Sequence, residues 1–153
     1  MRPLLAVLML AAAFPTMAHS QDVSADATYS DFNLKSGFLP DPHVIGMTAG
    51  GAIKVDVEGC DYGYVANAPD ANFQFDGSES SPLYIYVESE EDTMLLVNGP
   101  DGTWYCDDDS LEDLNPLITL PAADDGLYNV WVGTYGEEMV SATMKISELN
   151  PVE

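Results

Sequence analysis

Basic residues are nearly missing from this chain, in which Lys and Arg total 4 against 26 Asp and Glu. Arg2, Lys35, Lys54 and Lys145 are scattered, so no cluster exists to neutralise phosphates, and nucleic acid is excluded as a partner. Histidine is equally scarce, with His19 and His43 alone. A Ser-His-Asp triad needs a base held between a nucleophile and an orienting acid. Away from the N-terminus only His43, in Pro40-Asp41-Pro42-His43, is available for that role, and the string Asp76-Gly77-Ser78 lacks a Gly after its serine and reads as a turn. Cysteine is limited to Cys60 and Cys106, with no CxxC pair, which argues against a zinc site. Helical periodicity is absent beyond the N-terminal segment, and so is any internal repeat.

The N-terminus carries the one long apolar run. Arg2 precedes Leu4–Phe14, and Pro15 and a series of small residues follow. Such a stretch is shorter than the ~20 residues a membrane-spanning helix needs. It has the form of a secretory signal peptide over residues 1–20, with cleavage after Ala18 or after Ser20. The expected mature protein is periplasmic or secreted, with no membrane insertion once the signal is removed. It keeps three lysines against all 26 acids, a surface suited to calcium or basic partners and to solubility. In an oxidising compartment the even cysteine count predicts a Cys60–Cys106 disulfide. A loop that long is worth about 4 kcal/mol in the chain-entropy description.

Residues 21–28 (QDVSADAT) are small and polar and read as a flexible leader. From Tyr29 to Asn150 the pattern is short β-prone runs punctuated by Gly, Pro, Asp and Asn. His43–Thr48 and Ala52–Val57 flank Ala49-Gly50-Gly51 as a hairpin would, and Asn72–Asp76 and Leu83–Val87 are further strands. Met94–Asn98 and Thr103–Cys106 enclose the strong turn Gly99-Pro100-Asp101-Gly102. Leu117–Leu120, Gly126–Val132 and Ala142–Ser147 complete about eight strands, the spacing of an all-β, two-sheet sandwich. Along Gly126–Val132 both faces look apolar, which makes Trp131 core, whereas Trp104 beside the turn is the better candidate for ligand contact.

Chemistry concentrates after that turn. Cys106-Asp107-Asp108-Asp109-Ser110 gathers three carboxylates, with Asp101 within reach if the hairpin folds back. Calcium takes six to eight oxygen ligands in irregular loops, so Asp101, Asp107, Asp108 and Asp109 are the candidate calcium ligands. An EF-hand is excluded, because from Asp107 the sixth position is Glu112 and not Gly. With 26 acids any glycosidase pair can be chosen, so that signal is empty.

Asp92–Gly102, Trp104–Asp109, Asn115-Pro116 and Gly126–Gly133 together form a familiar series. It resembles the bacterial pre-peptidase C-terminal domains: an Asp, an apolar strand, a PDG turn, an acidic run, then a GxYxVxV strand. With Gly63–Asp70 (GYVANAPD) and Trp131–Tyr135 (WVGTY), the chain is also similar to small exported proteobacterial proteins often labelled serine peptidases. The resemblance covers most of Tyr29–Leu149 and implies a jelly-roll-like β-sandwich. Some related collagen-binding modules hold calcium, and by motif position Asp101 and Asp107–Asp109 would be its ligands here. No peptidase domain precedes this one in the sequence, which departs from the appended arrangement. The expectation is an exported, non-catalytic binding or stability module, calcium-stabilised, that contacts a protein or polysaccharide. The alternatives are a serine peptidase-related protein, or an inhibitor or folding aid acting in trans on a secreted enzyme.

Overall fold

The computed structural model describes residues 21–77, 81–111 and 114–152. The signal peptide with His19, and the turn serine Ser78, lie outside the described residues. Among the described residues there are eleven strands: β1 (Ser30–Lys35), β2 (His43–Ala49), β3 (Ile53–Lys54), β4 (Tyr64–Val65), β5 (Ala71–Asp76), β6 (Leu83–Glu88), β7 (Thr93–Asn98), β8 (Trp104–Asp107), β9 (Leu117–Leu120), β10 (Gly126–Thr134) and β11 (Val140–Ser147). They form two sheets, so the all-β sandwich expected from the sequence is what the chain adopts. Among the described residues no helix is long and apolar enough to cross a membrane.

The smaller sheet runs β2-β11-β6-β9, all antiparallel. The larger runs β1-β5-β10-β4-β3, and β7 joins β10 on one side and β8 on the other. Its centre is β10, whose N-terminal half pairs with β5 and whose C-terminal half pairs with β7. β1 lies parallel to β5, in register from Ser30 against Ala71 to Lys35 against Asp76. A parallel pair needs a long crossover, and the connection from β1 to β5 passes through both sheets on its way.

That crossover corrects the expected hairpin at Ala49-Gly50-Gly51. β2 pairs with β11 in the smaller sheet, and β3 pairs with β4 in the larger, so the chain changes sheets at the two glycines. Gly50 has φ of 108° and its amide donates to Val132 O at 2.9 Å. A Cβ on Gly51 would lie 2.1 Å from the Val65 carbonyl carbon. The glycines are there for close backbone approach between segments, a requirement that looks the same in sequence as a tight turn.

Between the sheets lies the main core, with Phe73, Phe75, Leu83, Ile85, Val87, Leu95, Val97, Val130 and Val132 among its buried members. A column of rings crosses from one sheet to the other. His43 stacks on Phe32 at 4.3 Å, Phe32 on Phe73 at 5.6 Å, and Phe73 on Tyr128 at 4.9 Å. A second cluster (Val55, Cys60, Val65, Met94, Leu96 and Trp131) packs separately. Side chains alternate across a strand, so Leu95 and Val97 of β7 join the main core while Met94 and Leu96 join this second one. β7 therefore reads as an unbroken apolar run, because both of its faces are covered.

Residues 21–28 differ from the polar leader expected. Asp22 N donates to Asn67 O at 2.9 Å, Thr28 N to Pro69 O at 2.8 Å, and Asn72 Nδ2 to Ala25 O at 3.2 Å. The segment lies along the larger sheet, held there by backbone groups and by the Asn72 side chain, which composition cannot reveal.

Candidate functional site

β7 and β8 form the hairpin that the Pro-Asp-Gly string predicted, with Asn98 opposite Trp104. Gly99 N donates to Thr103 O at 2.8 Å and closes the turn. Asp101 is built into it: its Oδ1 accepts from Thr103 N at 2.9 Å and its Oδ2 from Thr103 Oγ1 at 2.7 Å. These bonds hold the Asp101 carboxyl below the usual aspartate range, with the Thr103 amide the larger influence.

Beyond the turn, β8 places three predicted residues along one groove of about 400 Å³. Trp104, Cys106 and Asp107 line it, with Glu58 and Cys60 from the preceding loop and Thr119 from β9. Cys60 and Cys106 are disulfide-bonded, with Cα atoms 6.0 Å apart. The bond fastens the loop carrying Cys60 to the larger sheet beside the second apolar cluster. Trp131 is fully buried in that cluster, as expected, and Trp104 leans on it at 5.5 Å with the rings tilted by 37°. One face of Trp104 is thus fixed by packing while the residue stays partly exposed at the groove.

Asp107 closes the end of the groove. Its Oδ2 accepts from Ser110 N at 2.9 Å and from Leu117 N at 2.8 Å, and its Oδ1 accepts from Ser110 Oγ at 2.6 Å. The carboxylate ties the end of β8 to the start of β9, and so links the two sheets. Burial raises the Asp108 pKa, and the neighbouring Asp109 and Asp107 raise it further. Asp92 is raised in the same direction, by burial and then by Asp109. The Tyr62 hydroxyl is pushed up to about 12 by burial and by Asp108, Asp107 and Asp109.

The four candidate calcium ligands do not meet as a set. Among the described residues no group of three or more His, Cys, Asp or Glu side chains is arranged to hold a metal ion. Asp101 is bonded within its own turn, and both Asp107 oxygens are engaged by Ser110 and Leu117. In this arrangement the residues do not fit a common calcium site.

His43 lies elsewhere, at the start of β2, with its ring on Phe32. Burial alone lowers its pKa, and no carboxylate contributes to the shift. Sequence reasoning passed over Asp70, which is 2% exposed and accepts a hydrogen bond from Val132 N at 2.7 Å. Burial pushes its pKa up to about 7. Its setting in Pro69-Asp70-Ala71 looks like ordinary turn chemistry, and the cue to a buried role is only that β5 begins at the next residue. A second, larger groove of about 840 Å³, lined by Glu88, Glu90, Glu91, Glu138 and Met139, lies apart from the predicted residues.

No family model matches the chain, and no curated protein matches it. Among solved structures, the fold is similar to the pre-peptidase C-terminal domain of a collagenase from Bacillus anthracis. Sequence identity is 9% and the TM-score 0.47, covering 80% of this chain and 100% of that one. It is the family that the Asp92–Tyr135 motifs resemble.

Proposed function

We propose that this chain is an exported, non-catalytic binding module that contacts a protein or polysaccharide outside the cytoplasm through the Trp104 groove. The observation that carries the reading is the convergence there of a partly buried indole, a disulfide-fastened loop and an anchored acid. An aromatic fixed on one face presents large apolar area at low entropic cost, which favours recognition. Export is supported by the signal-like sequence of residues 1–20 and by the disulfide, since such bonds persist in oxidising compartments.

The absence of catalysis in this proposal is supported by the surroundings of His43. A general base is oriented by an acid, and the His43 ring rests instead on Phe32 with burial as the sole cause of its shift.

The test pairs binding with turnover. Pure mature protein is expected to bind an exported protein or cell-wall polysaccharide saturably and to leave casein intact. Casein cleavage that disappears in His43→Ala would replace this reading with the peptidase alternative.

A further inference from the structure

The Trp104 groove lies between two sheet edges. β8 is bonded to β7 alone in the larger sheet, and β9 to β6 alone in the smaller. In an antiparallel ladder alternate residues bond to the neighbouring strand, and those between turn their N–H and C=O the other way. A bond at one end fixes the phase of each edge. Val87 N donates to Pro116 O at 3.2 Å, in the frame that pairs Ile85 with Ile118. Ile118 and Leu120 therefore bond to β6, while Leu117 and Thr119 turn their backbone groups toward the groove they line. Leu117 N shows that direction by donating to Asp107 Oδ2 at 2.8 Å. On the other wall Gly99 N donates to Thr103 O at 2.8 Å, so Trp104 and Cys106 turn their backbone groups away from β7.

Other strand edges of this fold are guarded, as exposed edges usually are. On β2 the Tyr29 hydroxyl donates to Thr48 O at 3.2 Å and accepts from Thr48 N at 3.1 Å. β1 carries the charges of Asp31 and Lys35. The Leu-Ile-Thr-Leu sequence of β9 has no charge, and Thr119 N and O meet no partner among the described residues. Such an edge is a template for another backbone. Bonded strands lie about 4.8 Å apart and facing sheets about 10 Å, so one strand fills the space between two facing edges. The surroundings select its charge. Glu58 is exposed on one wall, and Asp61 and Asp107–Asp109 gather around Tyr62 beside it. Lys and Arg complement that field, and the Trp104 ring offers them a cation–π contact.

We infer that the groove takes an extended, basic peptide segment of a partner protein, added as a strand to the free edge of β9. The inference rests on the binding role proposed for the groove and narrows its partner to polypeptide. Thr119 N donates to the incoming backbone and Thr119 O accepts from it. Alternate residues of the peptide face β9 in this way, and its basic side chains lie toward Trp104 and Glu58.

The test screens the disulfide-bonded mature protein against a displayed library of random linear peptides, and titrates the retained peptides as synthetic products. They are expected to be rich in Lys and Arg and to bind less tightly as ionic strength rises. N-methylation at alternate peptide positions should weaken binding about tenfold, and at the interleaved positions much less. Residue-resolved hydrogen exchange should show the Thr119 amide open in the free protein and protected in the complex. Thr119→Pro removes that donor without touching the ladder to β6, since proline is tolerated where an edge N–H faces outward, and should abolish peptide binding. The peptide measurements keep the test decisive if this variant fails to fold. An empty screen overturns the inference, and so does peptide binding that ignores N-methylation and leaves Thr119 unprotected. Dimerisation of the chain that shields Thr119 overturns it in favour of a second copy. Polysaccharide binding lost in Trp104→Ala, with no peptide bound, overturns the inference and leaves the groove's binding role standing. Failure to bind peptides, exported proteins and polysaccharide alike removes that role as well.

Discussion

Asp70 Oδ2 accepts the Val132 amide at 2.7 Å where β5 begins beside β10, so a carboxyl group is buried in the hydrogen-bonding of the larger sheet. Its pKa is raised from 3.8 to about 7, chiefly by burial, while the Val132 bond pulls the other way. Between those values the folded chain keeps a proton that the unfolded chain has released. Its contribution to stability is therefore full below the unfolded value and is lost as pH rises through the folded one. Asp70→Asn keeps an acceptor for Val132 and removes the titration. The variant is expected to gain on the parent by up to a few kcal/mol between about pH 4 and about pH 8. Urea midpoints across that range measure it, and parallel profiles for the two proteins would remove Asp70 as the cause.

The Cys60–Cys106 bond closes a separation of 46 residues. Replacing both cysteines by alanine is expected to lower stability by about 2–5 kcal/mol, most of it through a less restrained unfolded chain. The loop bearing Val55 and Cys60 covers Trp131 and should loosen first. Hydrogen exchange would show amides of that loop and of β8 losing protection ahead of β6 and β11. Uniform loss across both sheets would contradict that order.

Gly51→Ala places a Cβ 2.1–2.3 Å from the backbone of Val65 and Ala66. No side chain can turn aside to make room, so the sheet-changing segment must shift. The expected cost is about 3 kcal/mol or more. Gly136→Ala, where a Cβ meets nothing within 4 Å, is the control and should melt close to the parent.

Asp107→Ala removes the acceptor for Ser110 N, Ser110 Oγ and Leu117 N. A loss of about 1–3 kcal/mol is expected, equal with and without added calcium. A calcium-dependent rise in melting temperature that vanishes in this variant would return Asp107 to the role of ligand, since a site specific to the folded state must stabilise it.

Local chemistry was the legible part of this sequence. The Pro100-Asp101-Gly102 turn, the span Leu117–Leu120, the core position of Trp131 and the disulfide all follow from residue type and spacing. What depends on distant partners was not legible. Ala49-Gly50-Gly51 has the composition of a hairpin, and its actual role is fixed by Val65 and Val132. Tyr64–Val65 is too short to signal a strand, and the segment of residues 21–28 is docked through its own backbone groups, which have no side-chain signature. The acidic run shows the same limit at the candidate site. Three adjacent aspartates suggest a shared cation, but Asp107 turns to Ser110 and Leu117, and Asp101 stays within its own turn.

The most direct measurement is saturable binding of the mature domain to exported proteins and to cell-wall polysaccharide, compared with Trp104→Ala. The variant should keep its melting temperature to within a few degrees, because Trp104 is only partly buried and Trp131 fills the cluster beneath it. Binding by the parent that is lost in Trp104→Ala is the expected result. Equal binding by the two folded proteins, or no saturable binding by the parent, would contradict the assignment of the groove.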